Sequence, residues 1–148
     1  MFGMNYSDYI AVAAVILSVF TLIRQEAVQR KILKKTTTYS AYEMWNGEYV
    51  RNARTHVWAI FIKDRNKINF NSYMENPDIY KSINIIAHFF IETAALTREK
   101  YYDEKALRII LSGPLKGWTE FFGVFSATDG DGTLRFGEVQ AAIKQLSR

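Results

Sequence analysis

The sequence predicts an all-α protein, in which one N-terminal transmembrane helix precedes a helical bundle and a C-terminal helix-loop-helix unit. Three observations predict it: an apolar segment long enough to cross a bilayer, apolar residues that then recur at three- and four-residue spacing, and an Asp-Gly-Asp-Gly turn between two amphipathic segments. We divide the chain into a transmembrane helix (1–23), a basic juxtamembrane helix (24–37), the bundle (38–114) and the helix-loop-helix unit (115–148).

The composition is that of one folded domain with an added hydrophobic segment. Of the 148 residues, 49% are hydrophobic and 15% are aromatic, which excludes intrinsic disorder. The sequence has no cysteine, so disulfides and thiolate chemistry are excluded and a reducing compartment is indicated. Much of the net charge of +4 lies between Arg24 and Lys35. A basic cluster beside a span indicates anionic headgroups, so we expect membrane lipid as a partner and no nucleic acid.

The apolar segment 9–23 predicts a membrane span. Counted from Phe2, about 22 residues carry the single charge of Asp8, and a span needs roughly 20 residues. A secretory signal peptide would begin with positive charge and end in small residues, unlike the Leu-Ile-Arg at 22–24. A soluble core helix or an interfacial helix would carry a polar stripe, which residues 10–17 lack.

Basic residues flank this segment on one side only. Arg24, Arg30, Lys31, Lys34 and Lys35 follow the span, and no lysine or arginine precedes it. Because positively charged flanks stay on the cytoplasmic side, we expect the N-terminus outside and the C-terminal body in the cytoplasm.

The first cytoplasmic residues predict a helix that continues from the span and stops near Thr36–Thr38. A second helix, capped by Ser40 or Thr38, is expected to bury a stripe at three- and four-residue spacing. This stripe consists of Tyr42, Trp45, Tyr49, Ala53, His56 and Ile60. The polar segment 64–76 predicts a loop that connects this helix to the next.

A third helix is expected to begin at Pro77 behind an Asn76 cap, and a fourth, 106–111, behind Asp103. Gly113-Pro114 should end the fourth helix, and a fifth should begin near Leu115 with Trp118, Phe121, Phe122 and Phe125. The core face predicted for the third helix is Ile79, Ile83, Ile86, Phe90 and Ala94, widened by Ile85, Phe89 and Leu96.

One succession of segments runs from an apolar helix ending at 92–98, through an acidic turn and a short helix, to Gly-Trp-Thr-Glu-Phe-Phe at 117–122. Over about Tyr6 to Phe122 the chain resembles a family of uncharacterised bacterial proteins with one N-terminal span and a small helical cytoplasmic domain. The resemblance implies single-pass architecture in the bacterial inner (cell) membrane. It implies no site residue, because that family's function is itself unknown.

Residues 127–138 carry the chemistry that the sequence offers for a metal. Asp129 and Asp131 stand two residues apart, and Glu138 follows the second glycine by six positions. The spacing resembles an EF-hand loop, in which calcium takes side-chain oxygens, one backbone carbonyl and a final bidentate glutamate. The resemblance implies Asp129, Asp131, the Thr133 carbonyl and Glu138 as calcium ligands.

The first loop position departs from the EF-hand pattern, because Ala127 stands where the family has an aspartate ligand. Either Thr128, Ser126 or water fills the gap and binding is weak, or the loop has only a structural role. EF-hands usually pair through their loops. The partner here is either a second copy of this chain, giving a homodimer, or the chain's own helical body.

The remaining polar residues suggest no reaction. His88 and Glu92 lie one turn apart, and Glu43 or Asp103 could join them, but two ligands do not make a metal site. His56 is expected to be a half-buried, hydrogen-bonded histidine. There is no phosphate-cradling glycine loop, nucleophile elbow or zincin motif, so we expect no enzyme.

Three functions fit this sequence. The first is a membrane-anchored interaction or scaffolding protein, calcium-responsive if the loop binds. The second is an accessory subunit of a larger membrane protein complex, suggested by the small size and the lack of catalytic residues. The third is a homo-oligomeric pore, which the span disfavours because Ser18 and Thr21 make a poor polar lining and Asp8 lies at its edge.

Overall fold

The computed structural model describes residues 5–64, 73, 75–126 and 136–147, with the backbone alone at 64, 124–126 and 136. These residues are helical almost throughout, and no strand occurs among them. The chain divides into two compact units, Met1–Lys34 and Lys35–Arg148. The helices are α1 (Tyr6–Asn46), α2 (Glu48–Asp64), α3 (Pro77–Arg98), α4 (Glu104–Ser126) and α5 (Phe136–Ser147).

The first unit contains the N-terminal part of α1. Among the described residues, α1 is the one helix long and apolar enough to span a membrane, and none of its apolar window is buried. Its hydroxyls are satisfied within the helix, because Ser18 Oγ donates to the Ala14 carbonyl and Thr21 Oγ1 to the Leu17 carbonyl, both at 2.8 Å. The segment therefore presents apolar side chains around its whole circumference.

The predicted end of the first helix at Thr36–Thr38 is wrong, because α1 continues to Asn46. The hydroxyls expected to cap a new helix have other partners. Ser40 Oγ donates back to the Thr36 carbonyl at 3.2 Å, and buried Thr38 accepts the Asp103 N–H at 2.8 Å. The helix breaks instead at Gly47, one residue beyond Asn46.

This later break changes which residues form the core of the second unit, hereafter the bundle. Of the predicted stripe, Trp45 and Ala53 are buried and Ile60 is partly buried, whereas Tyr42, Tyr49 and His56 are exposed. The predicted stripe requires all six residues to lie on one helix. Because the helix breaks at Gly47, the residues before and after the break do not share one helical face. The residues that α1 and α2 bury are Thr38, Ala41, Trp45, Val50, Ala53, Val57 and Phe61.

The predictions for α3 are confirmed. Asn76 Oδ1 accepts the N–H groups of Asp78 and Ile79 at 3.1 and 3.3 Å, with Pro77 in the first turn. All five residues of the predicted face are buried, together with Phe89, while Ile85 and Leu96 pack partly buried against them. Of the predicted connecting loop before this helix, residues 65–72 and 74 lie outside the described residues, and Tyr73 is buried in the core.

Helix α4 confirms one prediction and corrects another. Asp103 caps it, because its carboxylate accepts the Ala106 N–H at 3.1 Å. Gly113-Pro114 does not end it, and the predicted division between 114 and 115 falls inside one continuous helix. Proline usually forces the preceding residue out of helical conformation through a clash with its Cβ, and Gly113 has no Cβ. Burial of the apolar residues beyond it offsets the hydrogen bond that Pro114 cannot donate.

The bundle is held together mainly by α3, α4 and α5. Helix α3 packs against α2 and α5, and α5 packs against α4. Two glutamine amides join them, since Gln140 Nε2 donates to the Phe122 carbonyl at 3.3 Å and Gln145 Nε2 to the Ala94 carbonyl at 3.0 Å. The rings of Phe121 and Phe122 lie edge to face with centroids 5.1 Å apart at the centre of this packing.

Candidate functional site

The predicted calcium loop falls largely outside the described part of the chain. Asp129, Asp131 and Thr133 are outside the described residues. Glu138, the fourth predicted ligand, lies in the first turn of α5 with an exposed side chain. Calcium binding therefore stays a prediction from the sequence.

Helices are present on both sides of that loop, as the sequence predicts. Helix α4 ends at Ser126 and α5 begins at Phe136. The apolar face of α5 is buried, and it packs on α3 and α4 of the same chain. The outgoing helix is thus covered by the chain's own body. Its buried residues are Val139, Ala142, Ile143 and Leu146.

The two histidines occupy different surroundings. His88 and Glu92 line an open groove of about 490 Å³ beside Tyr49 and Lys81. Within the described ranges, no group of three or more His, Cys, Asp or Glu residues is placed to hold a metal ion. The Nδ1 atom of His56 lies 3.2 Å from Ser82 Oγ, so the predicted hydrogen bond is present, although the imidazole is exposed rather than half-buried.

A second open groove, of about 460 Å³, lies where the end of α1, α2 and α4 meet. Every tryptophan of the chain contributes to it. Among the described residues that line it, none is acidic and one is a cation. We call it the tryptophan groove, and its lining residues are Trp45, Arg54, Thr55, Trp58, Ala59, Gly113, Pro114, Gly117 and Trp118.

Helix packing brings two of the indoles together. The ring centroids of Trp58 and Trp118 are 5.5 Å apart, with the planes tilted by 56°. Gly117 makes this approach possible, because a Cβ at that position would lie 2.9 Å from Cη2 of Trp58. Trp118 is buried and continues into the core, whereas Trp58 is only partly buried. The groove therefore has a fixed floor and a partly exposed aromatic wall.

The third indole, Trp45, stacks against the guanidinium of Arg54. Arg54 Cζ lies 4.1 Å from the ring centroid of Trp45, a stacking distance for a guanidinium on an aromatic face. Arg54 Nε is buried without a hydrogen-bond partner, and no described residue forms an ion pair with this side chain. Burial, and secondarily the charge of Arg51, lower the pKa of Arg54. The guanidinium still carries its charge at neutral pH, because its ordinary pKa is so high.

These groups are suited to recognition. The partly exposed Trp58 provides apolar surface above the buried Trp45 and Trp118, and the guanidinium provides a planar set of donors of which Nε–H is unpartnered. Tryptophan and arginine are also the residues most enriched among those that dominate protein–protein binding energy. The tryptophan groove is therefore the candidate functional site.

The sequence predicts Trp45 as a core residue and places Trp118 in the fifth helix, but it does not single out Arg54 or Trp58. A signal for the groove is present in α4, where two glycines stand four residues apart and therefore on one face of the helix. Because glycine has no side chain, such a face leaves room for a large ring from a neighbouring helix. The sequence does not say which helix supplies it.

No protein-family model matches the chain, and no curated protein or solved structure is similar to it. The resemblances to an EF-hand and to a bacterial single-span family therefore stay predictions from the sequence.

Proposed function

We propose that the chain is a non-catalytic, membrane-anchored interaction protein whose bundle binds a protein partner in the tryptophan groove. One observation carries this proposal: three indoles line one open groove together with a guanidinium that has no acidic partner in the described part of the chain. An open groove lined mainly by apolar residues is typical of a binding site, and interface centres are rich in Trp and Arg.

The proposed anchor is the first part of α1, whose apolar side chains are exposed all round. The basic residues after it favour an N-terminus outside and a cytoplasmic bundle, in the bacterial inner membrane if the family resemblance holds. Because the sequence has no cysteine, Asn5→Cys and Ser147→Cys each give a single label site. An impermeant maleimide should label intact cells only through position 5. Labelling only through position 147 would show the opposite orientation, and labelling at both positions would refute the single span.

Partner binding is tested by purifying the full chain in mild detergent and identifying what accompanies it by mass spectrometry. A partner should accompany the wild type and be lost with Ala59→Leu, which enlarges an exposed lining residue into the groove. Tyr101→Ala is the matched control, because Tyr101 is 57% exposed and does not line the groove. Recovery of the wild-type chain alone, or retention of the partner by Ala59→Leu, would refute this function.

A second candidate is an accessory subunit of a larger membrane complex. It is favoured by exposed apolar side chains beyond the predicted span, at Val28, Ile32 and Leu33, among the basic residues of α1. In that case several membrane proteins should co-purify at fixed stoichiometry. They should remain with Ala59→Leu and dissociate when Val28 and Ile32 are both replaced by serine. Co-purification of a single partner that is lost with Ala59→Leu would exclude this candidate.

We also propose weak calcium binding at Asp129, Asp131, Thr133 and Glu138, which the loop spacing supports. Calorimetric titration of the full chain in detergent should show heat at millimolar calcium and a rise in melting temperature, because a ligand of the folded state stabilises it. Glu138→Gln should lose both signals. If the wild type shows neither signal, calcium regulation is excluded and the interaction function remains.

A further inference from the structure

We infer that the tryptophan groove binds a partner segment that places an aspartate or glutamate side chain beside an apolar side chain. The inference rests on the proposed function and adds the chemistry of what is bound. It follows from the charge inside the groove, the apolar walls and the open shape.

The charge argues for an acidic group. Among the described lining residues Arg54 is the one charged residue, and it is stacked on Trp45 with no hydrogen bond from its Nε–H. A partly buried cation without a counter-charge has lost hydration that no group of the described chain replaces. A carboxylate can accept two parallel N–H groups from a guanidinium, and charge-assisted pairs of this kind are among the strongest hydrogen bonds.

The walls argue for an apolar side chain next to that acid. Trp58 and Pro114 form them above the buried Trp118, and the volume of about 460 Å³ falls in the range of sites that hold small ligands. An apolar group entering this space covers the part of Trp58 that is now exposed. It also shields the guanidinium–carboxylate pair from water, which strengthens that pair.

The same features disfavour a phosphate. Among the described lining residues Arg54 is the one cation and most of the others are apolar, whereas phosphate groups are usually held by several cations or by a helix N-terminus. The groove is open to solvent, so a partner segment can direct one acidic and one apolar side chain into it.

The positions of the tryptophans give a direct assay. All three line the groove, so 5-fluorotryptophan labelling of the full chain in detergent gives three fluorine signals, each reporting on this site. The probes are two blocked tripeptides, acetyl-Phe-Glu-Leu-amide and acetyl-Phe-Gln-Leu-amide, which differ only in the charge of the central side chain. We expect the Glu peptide to shift the signals saturably and to bind on the order of tenfold more tightly than the Gln peptide.

Three variants identify the groups responsible. Arg54→Gln should abolish the preference for the Glu peptide, whereas Arg51→Gln removes the same charge outside the groove and should keep it. Ala59→Leu should weaken both peptides by occupying the space. The dispersion of the fluorine signals without peptide shows that each variant is folded.

Several results would overturn the inference. Equal binding of both peptides, no binding of either, or a preference that survives Arg54→Gln would each do so. Stronger Arg54-dependent shifts with inorganic phosphate, with vesicles of anionic lipid or with acetyl-Phe-Leu bearing a free C-terminus would assign the groove to those ligands instead. Co-purification of a partner that Ala59→Leu removes would then still support the proposed function, so the two failures are distinguishable.

Discussion

The two units of the chain use the same apolar residue types in opposite ways. In the first unit, Ile16 and Leu17 are 64% and 68% exposed, whereas in the bundle Ile83 and Phe90 are fully buried. A helix that is apolar all round has no polar face to turn towards water, but the bundle helices each have one. The bundle buries its apolar side chains within itself, whereas the first unit does not bury its own.

The largest expected effect tests the bundle side of this comparison. Phe90 is fully buried, and its ring lies 5.4 Å from that of Trp45 and 5.5 Å from that of Phe89. Phe90→Ala should lower the free energy of unfolding by about 3–5 kcal/mol, since it removes a large side chain from a packed core. Denaturant unfolding of the full chain in detergent, followed by tryptophan fluorescence, measures it, because every tryptophan lies in the bundle.

Phe20→Ala is the matched substitution in the first unit, where this phenylalanine is 63% exposed. It should leave the same unfolding transition unchanged within about 0.5 kcal/mol. A comparable loss in both variants would show that α1 and the bundle unfold as one packed structure, and the comparison above would be wrong.

The next largest expected effect is on membrane insertion, and it compares two isoleucines of similar exposure. Ile16 in α1 is 64% exposed and Ile109 in α4 is 70% exposed. An arginine at the centre of a span raises the free energy of insertion by about 2.5–3.5 kcal/mol, so Ile16→Arg should reduce the fraction of the chain that resists carbonate extraction from membranes. Ile109→Arg should not change it. Equal extraction of both variants would refute the span.

A smaller effect is expected where a hydroxyl joins two elements inside the bundle. Thr38 is 2% exposed and accepts the Asp103 N–H at 2.8 Å, so Thr38→Val leaves that N–H without its partner. We expect a loss of about 1–3 kcal/mol in the free energy of unfolding. Thr55→Val is the control, because this exposed hydroxyl only donates back to the Arg51 carbonyl at 2.9 Å. Equal losses would mean that the contact between Thr38 and Asp103 contributes nothing.

Local signals in the sequence predicted the parts of the fold that local chemistry determines. Asn76 and Asp103 cap helices as predicted, and the periodic face of α3 is buried, because caps and amphipathic periods act within a few residues. The errors arose where distant packing outweighs a local signal. Thr38 does not cap a helix because it accepts the N–H of Asp103, 65 residues away. Pro114 does not end one because Gly113 before it has no Cβ and Leu115 after it is buried.

The candidate site was harder to predict than the fold for the same reason. Trp45, Trp58 and Trp118 belong to three helices, and only their packing shows that one groove collects them. Nothing in the sequence distinguishes Arg54 from the other cations. What distinguishes it is that no described acidic residue pairs with it, which is a property of the assembled bundle.

The smallest expected effect compares two glycines of α4, which differ in how much space a Cβ would find beside them. A Cβ at Gly123 would meet only Gln140 Nε2 at 3.7 Å, an ordinary contact, so Gly123→Ala should raise the free energy of unfolding by about 0.5–1 kcal/mol through helix propensity. At Gly117 the same Cβ would lie 2.9 Å from Trp58, whose ring must then move. Gly117→Ala should therefore gain less stability, or lose some, and shift the fluorine signal of Trp58. Equal stabilisation by both substitutions, with an unchanged Trp58 signal, would mean that this indole is not held against α4 and that the groove has no fixed aromatic wall.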